Sequence, residues 1–289
     1  MLVPLARLRV KAGCRLKQQN TPLPCFWNIP KKQNCEGILI QTCLLIPAYN
    51  CSNTLSKLFH YLDKLKPQPD TTIFAENNSR DTTLWLIKKH YKHKPHKIIR
   101  VWFRDDAAQA CESVYGPIAH IRQLLLTAAR HYNPDYAIFL DADVYPISPN
   151  LITILTSWKK DIIGGSYVRL FPEGPFLASK WSVEGKPNLH RFYRVPFAPL
   201  MEPIMTSAGC LCLSRRIILD KRVNFYPLYQ KSQTASEDFG YCLQARDAGY
   251  KVFLDGTAVL WHDHFHITHL KPWTRDRKTH EYIPFSYGA

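Results

Sequence analysis

No CxxC pair occurs in this sequence, although it carries nine cysteines, at positions 14, 25, 35, 43, 51, 111, 210, 212 and 242. That absence argues against a structural zinc site. The odd number and irregular spacing point to a reducing compartment. Cys43, Cys210, Cys212 and Cys242 sit in apolar runs and read as small core residues. No apolar run approaches the ~18 residues of a membrane-spanning helix. The opening MLVPLARLRVKAG is too short and too interrupted in its apolar stretch for a secretory signal. A cytoplasmic protein, at most peripheral to a membrane, is therefore the expectation. No acid occurs among the first 35 residues, which hold Arg7, Arg9, Lys11, Arg15, Lys17, Lys31 and Lys32. No internal repeat and no recognisable nucleic-acid module is present, and the aromatics are not interleaved with the basic runs as a stacking platform needs. A nucleic-acid partner is not expected.

What is there is a chain of 289 residues with a net charge of +15 and 46% hydrophobic residues. That length suits one large domain or two small ones, with a real core. Residues 1–36 read as a poorly ordered basic tail, a tether to a surface or membrane, and 271–289 as a C-terminal tail. A second basic cluster, KKHYKHKPHK, runs from Lys88 to Lys97. Such charge favours anionic partners, phosphorylated substrates or acidic lipid headgroups among them; a solvated basic surface is the plainer explanation.

From residue 40 the pattern becomes regular. CLLIPAYN (43–50) reads as a buried strand stopped by a turn. Ser52 or Asn53 is placed to cap a helix in which Leu55, Leu58, Phe59, Leu62 and Leu65 recur at helical spacing. TTIFAENNSRD is a strand and a polar loop, TTLWLIKKHY a helix, and KIIRVWF (97–103) a strand. A helix from Gly116 to His131 places Ile118, Ile121, Leu125 and Ala128 or Ala129 on one face. YAIFL (136–140) is the next strand. Residues 170–204, rich in proline and aromatics, read as a long substrate-facing loop. TSAGCLCLSRRIIL (206–219) is a strand followed by a helix. SEDFGYCLQARDAGY (236–250) is a helix with Ser236 as N-cap, and KVFLDGTAVLWHDHFH (251–266) gives two short strands ending in histidines. Alternation of strand and helix predicts an α/β fold with a mostly parallel sheet flanked by helices. Ligands of such sheets sit beyond the carboxyl ends of the strands. Three polar loops converge there: AYN (48–50), ENNSRD (76–81) and DAD (141–143).

The last of these is the most informative. Two carboxylates, Asp141 and Asp143, stand at the tip of a buried strand, where they repel each other and lose solvent. A divalent cation resolves both costs. Mg²⁺ and Mn²⁺ prefer oxygen ligands and commonly take one or two carboxylates plus substrate phosphates. Such an ion would also neutralise a diphosphate leaving group.

In these segments the chain resembles the GT-A nucleotide-sugar glycosyltransferases, nearest the family 2-like branch, over roughly residues 40 to 266. LLIPAYN resembles the first strand and donor turn, with Pro47, Ala48, Tyr49 and Asn50. ENNSRDTT is similar to the second donor loop, with Glu76, Ser79 and Asp81 at matching positions. IAHIRQLLLTAA resembles a helix carrying a donor-binding arginine, here Arg122. FLDADV resembles the metal-binding DxD, giving Asp141 and Ala142 to the donor and Asp141 and Asp143 to the metal. SAGCLCLSRR resembles the acceptor-side strand. SEDFGYCLQARDAGY looks like the "ED" helix whose aspartate is the general base of inverting members, here Asp238 with Glu237 beside it. DGTAVLWH matches a late segment whose histidine, His262, completes the metal or phosphate site in some members.

The resemblance implies a single Rossmann-like GT-A domain over 37–270, with a donor half at about 40–145 and an acceptor half at about 146–270. It implies Mn²⁺ or Mg²⁺, a UDP- or GDP-linked sugar donor, and a glycan, lipid-linked or protein acceptor. Asn77 and Asn78 stand where many members have Asp-Gly, and Gln123 follows Arg122 where Asn is usual.

Other readings of these residues stand beside that one. Asp238 and Glu237 also compensate a helix N-terminus. Arg122 also reads as an ordinary helix arginine. His262, His264 and His266 alternate along one strand face. Trp181, Phe192 and Tyr193 suit sugar stacking or packing alike. FLDADV also fits a haloacid dehalogenase-like phosphatase with Asp141 as covalent nucleophile, although the loops at 48–50 and 76–81 then go unexplained. A non-catalytic basic binding protein is the third possibility.

Overall fold

The computed structural model describes residues 40–101, 116–171, 174–180, 192–194, 199–226 and 236–263. Both expected tails lie outside these residues, as do Trp181, His264 and His266. In chain order the elements are β1 (Thr42–Ala48), α1 (Ser52–Leu62), β2 (Thr71–Asn77), α2 (Thr83–His90), β3 (His96–Val101), α3 (Gly116–Tyr132), β4 (Tyr136–Leu140), β5 (Val144–Pro146), α4 (Leu151–Ser157), β6 (Ile162–Phe171), β7 (Gly174–Lys180), β8 (Phe192–Arg194), β9 (Cys210–Ser214), α5 (Arg215–Leu219), α6 (Glu237–Asp247) and β10 (Val252–His262).

One sheet organises them, in the order β3-β2-β1-β4-β9-β6-β10-β5, with β7 and β8 extending from β6. β3, β2, β1 and β4 are mutually parallel. β9 runs against β4 and β6, β10 runs with β6, and β5 runs against β10. Six of the eight strands along that path therefore point one way. This is the expected α/β fold, a mostly parallel sheet flanked by helices.

Burial on both faces explains the unbroken apolar character of β1. Its side chains alternate with the strand period. Cys43 and Leu45 join Leu125 of α3, Ile217 of α5 and Tyr241 of α6 in one core layer. Leu44 and Ile46 join Leu58 of α1 and Leu155 of α4 in the other. The helical spacing of Leu55, Leu58, Phe59 and Leu62 is thus the imprint of one sheet face. On α3, Ile121, Leu125, Ala128 and Ala129 are buried as expected, while Ile118 is only partly covered. Cys43, Cys210, Cys212 and Cys242 are all fully buried.

Two segments differ from the sequence reading. The expected loop at 170–204 holds strand structure: β6 continues to Phe171 and folds back antiparallel onto β7, with Phe171 opposite Gly174, and β7 pairs with β8. Of the prolines that suggested a loop, Pro175 lies within β7, opposite Leu170. The expected pair of strands at 251–266 is one element, β10, whose register against β6 shifts between Asp255 and Val259. Asp255 stabilises the shift by accepting from Thr257 N at 2.7 Å and Thr257 Oγ1 at 2.6 Å.

Gly165 faces that irregularity. A Cβ there would lie 2.8 Å from the Ala258 carbonyl oxygen and 2.5 Å from Leu260 Cδ1. Because the first obstacle is backbone, Gly165→Ala is expected to destabilise the fold by roughly 1–3 kcal/mol. Urea unfolding of the two proteins checks this.

Candidate active site

Strand direction places the functional segments. β1, β2 and β4 end side by side, with Ala48 opposite Glu76 and Leu45 opposite Phe139. β9 starts there, since Cys210 pairs with Leu140, and β10 ends there, since His262 pairs with Val144. The turns at 48–50, 76–81, 141–143 and 206–209 and the end of β10 thus share one rim.

The turns at 48–50 and 76–81 are knitted together by their own polar atoms. Asn50 N donates to Ser79 Oγ at 3.0 Å, and Arg80 N donates to Asn50 Oδ1 at 2.8 Å. Glu76, fully buried, accepts from Ser79 N at 2.6 Å and from Arg100 Nε at 3.4 Å. Asn50 and Asn78 both adopt the left-handed conformation, with φ of 45° and 46°, which asparagine tolerates better than most residues. Pro47 and Ala48 are buried in β1, whereas Tyr49 is 53% exposed at the rim. The amide oxygen of Asn77 is buried and accepts no hydrogen bond from the described residues.

The cap expected from Ser52 or Asn53 comes instead from the neighbouring turn. Cys51 occupies the N-cap position without a side-chain cap bond. Asp81 Oδ2 accepts from Ser52 N at 3.0 Å while its Oδ1 accepts from Thr83 N at 2.9 Å. A carboxylate between two helix starts satisfies their open N–H groups and complements both dipoles. Desolvation alone would raise the Asp81 pKa, but the hydrogen bonds from Thr83 and Ser52 outweigh it and hold the group down at about 2.

Arg122 lies at the centre of the other half of the rim. It is 3% exposed. Nη2 donates to Asp141 Oδ1 at 2.8 Å and Oδ2 at 3.1 Å, Nε donates to Glu237 Oε1 at 3.1 Å, and Nη1 donates to the Ala208 carbonyl at 3.1 Å. The fork that the resemblance assigns to the donor is here directed at protein carboxylates. Burial by itself would lower its pKa, but Asp141, Glu237 and Asp238 together hold it above the ordinary value. At Asp141, burial raises the pKa, Arg122 opposes the rise and Asp143 adds to it; the net shift is upward.

Asp143 faces the other way. Its Oδ2 lies 3.4 Å from His262 Nε2, and its carbonyl accepts from Asp263 N at 2.8 Å. The Asp263 carboxylate accepts from Lys57 Nζ and from Tyr145 Oη, both at 3.2 Å. One carboxylate oxygen and one imidazole nitrogen, with Asp141 alongside, suit Mn²⁺ in donor chemistry. Among the described residues no group of three or more such side chains is assembled around one point. A bound ion would thus draw further ligands from elsewhere.

Asp238 sits at the start of α6, buried. Its Oδ1 accepts from Phe239 N at 2.9 Å and from the Ser236 hydroxyl, and its Oδ2 accepts from Ala208 N at 3.4 Å. Ser236 is the N-cap in position, but its hydroxyl serves Asp238 rather than the helix backbone. Arg122 thereby brings Asp141 and Glu237 together, and Asp238 joins them through Ala208. Phe192 and Tyr193 lie on β8.

Sequence reasoning missed the residues that support these groups. A Cβ on Gly209 would lie 3.1 Å from Asp141 Oδ2 and 3.0 Å from Tyr167 Oη. Tyr167 is fully buried, with its ring 5.6 Å from that of His262. The glycine in SAGC was a visible signal of close approach; Tyr167 carries no local signal.

No family model matches the chain. In sequence it is 24% identical over 261 residues to procollagen galactosyltransferase 1-A of Xenopus laevis, covering 80% of this chain and 41% of that protein. The chain thus spans less than half the length of this curated relative. In structure it is similar to S. aureus TarS 1-349 in complex with UDP-GlcNAc (TM-score 0.48, 15% identity, 77% of this chain and 58% of that one). It is also similar to the mannosyltransferase PcManGT from Pyrobaculum calidifontis in complex with GDP-Man and Mn²⁺ (TM-score 0.46, 12% identity, 77% and 56%).

Removing the central cation takes away the charge that balances the buried Glu237 and the half-buried Asp141. Arg122→Met is expected to destabilise the protein by about 3–5 kcal/mol, read by chemical denaturation. Asp81 supplies a pH signature. Its folded pKa of about 2 lies below the ~3.9 of an unfolded aspartate, so the unfolded state binds more protons between these values. The stabilisation is present above pH ~4 and is lost as pH falls towards 2. Asp81→Asn is therefore expected to melt below the native protein at pH 5, with the gap closing by pH 2–3.

Proposed function

We propose that this chain, a GT-A-type glycosyltransferase in fold and in sequence likeness, moves a sugar from a nucleoside-diphosphate donor to an acceptor hydroxyl. The observation that carries the reading is the convergence on one rim of the two knitted donor-type turns, the DxD pair and the acid-bearing start of α6. The likeness to a procollagen galactosyltransferase favours a galactosyl donor and a hydroxyl on a polypeptide over a glycan or lipid-linked acceptor. UDP- and GDP-linked donors both stay within this proposal.

In this reading the nucleoside rests on Tyr49 and Asn50 and on residues 77–79. The Asn77 amide oxygen, buried and without a donor, accepts an N–H of the base. Asp143 and His262 hold the divalent cation, with Asp141 beside them. When bound, Mn²⁺ or Mg²⁺ neutralises charge on the departing diphosphate. Arg122 does not reach for phosphate. It holds Asp141 at the strand tip and orients α6 through Glu237. That commitment makes Glu237 the weaker proton acceptor, and Asp238 deprotonates the acceptor hydroxyl if the sugar inverts. Asp141, with both oxygens on Arg122, is poorly placed as a nucleophile, which weighs against the phosphatase reading.

The test is calorimetric titration of a donor panel with and without Mn²⁺, followed by turnover. One donor class is expected to bind with Mn²⁺ and to lose roughly tenfold or more in affinity in Asp143→Ala. Asp238→Asn is expected to keep donor affinity and lose about 10²–10⁴-fold in kcat. Donor binding that ignores both the ion and Asp143 would overturn the metal assignment.

A further inference from the structure

The end of the sheet opposite the rim has a composition the transfer reaction does not use. α1 and α2 each follow a rim-directed strand and run back, so their C-termini lie at this opposite end, where β2 and β3 begin. Thr72 N donates to the Pro95 carbonyl there, which brings the two strand starts together. Lys64, Lys88, Lys89, Lys92, Lys94 and Lys97 gather at this corner, the first four of them exposed. No acid occurs in the sequence between Asp81 and Asp105.

Among the described residues, the acids that reach this corner are Asp63 and Asp70, and both have duties within the fold. Asp63 binds Lys94 and lies 3.1 Å from His90 Nε2. Asp70 accepts from Thr42 N at 2.8 Å. His90 stacks on Phe59 with 4.2 Å between ring centroids, and burial lowers its pKa. The lysines therefore carry the charge near neutral pH.

We propose that this corner is a docking face for an anionic lipid bilayer. The ends of two helices and the start of a strand lie at one level, so several ammonium groups can meet a flat anionic surface together. Trp85, in the first turn of α2 and so above the corner, is 56% exposed, and the ammonium of Lys89, one turn nearer the corner, lies 4.7 Å from its ring centroid. Tryptophan beside lysine is the pairing that membrane interfaces favour. Protection of β3 as the outermost strand in the order would account for Lys97 but not for Lys88, Lys89 or Lys92, which lie outside it. Docking by this face would turn the rim away from the membrane, on the order of 20 Å above it across a seven-residue strand. The candidate site would then face acceptors in solution rather than lipids of the same leaflet.

The experiment is co-sedimentation of the full chain with phosphatidylcholine vesicles with and without phosphatidylserine, across a salt series. It is independent of any transferase activity. The native protein is expected to bind only the phosphatidylserine vesicles and to release as salt rises. Lys88→Glu/Lys92→Glu is expected to lose roughly tenfold or more in vesicle affinity. Lys221→Glu/Arg246→Glu, with the same change of net charge near and on the helices of the other sheet face, is expected to bind as the native protein does. Thermal melts establish that both variants fold. Three results would overturn the assignment: no binding by the native protein, equal loss in both variants, or binding undiminished in the first. Retention on heparin without vesicle binding would likewise replace a bilayer with a soluble polyanion.

Discussion

The rim is organised by one buried guanidinium. Glu237 and Asp238 are buried and Asp141 is half-buried beside them, and their mutual repulsion would drive this part of the rim apart. Arg122 supplies the missing charge in a planar fork, bonding Asp141 through both oxygens, Glu237, and the Ala208 carbonyl. A lysine would place a point charge there but could not hold three partners in one plane. Four segments distant in sequence (α3, the tip of β4, the 206–209 turn and the start of α6) are fastened by this single side chain. It also explains how a strand can end in Asp-Ala-Asp: one aspartate is balanced from inside the protein, while the other faces His262.

The donor-type turns follow the same logic with neutral partners. Asn50, Glu76, Ser79 and Asp81 spend their hydrogen-bonding capacity on one another's backbones and on the starts of α1 and α2. Turns tied in this way hold their shape before any ligand arrives, which lowers the ordering cost of binding. The molecule is polar on a larger scale as well. Carboxylates crowd the rim, and lysines crowd the opposite corner beside α2. The two ends of the same sheet therefore differ in the sign of charge they present.

Much of the architecture was legible because it rests on local periodicity. The apolar runs of β1 and β4, the spacing of Leu55, Leu58, Phe59 and Leu62, and the burial of four cysteines follow from period and composition alone. The region at 170–204 was not legible, since proline and glycine mark a hairpin turn and a loop alike. At the site, the polar residues at strand tips stood out by their chemistry. Their partners did not: Asp81 reads as a loop acid, and nothing local marks it as the cap of a helix 29 residues earlier in the chain.

The sequence by itself therefore determined the α/β class, the alternation of strands and helices as far as β4, and the set of polar turns that end on one rim. These depend on residue type at fixed short spacing. Only the tertiary structure decided what each side chain faces. Arg122 and Glu237 are 115 positions apart. Whether that arginine meets a phosphate or a protein carboxylate depends on how α6 packs against α3 across the sheet. Long-range packing sets the electrostatic partner, and the partner sets the role.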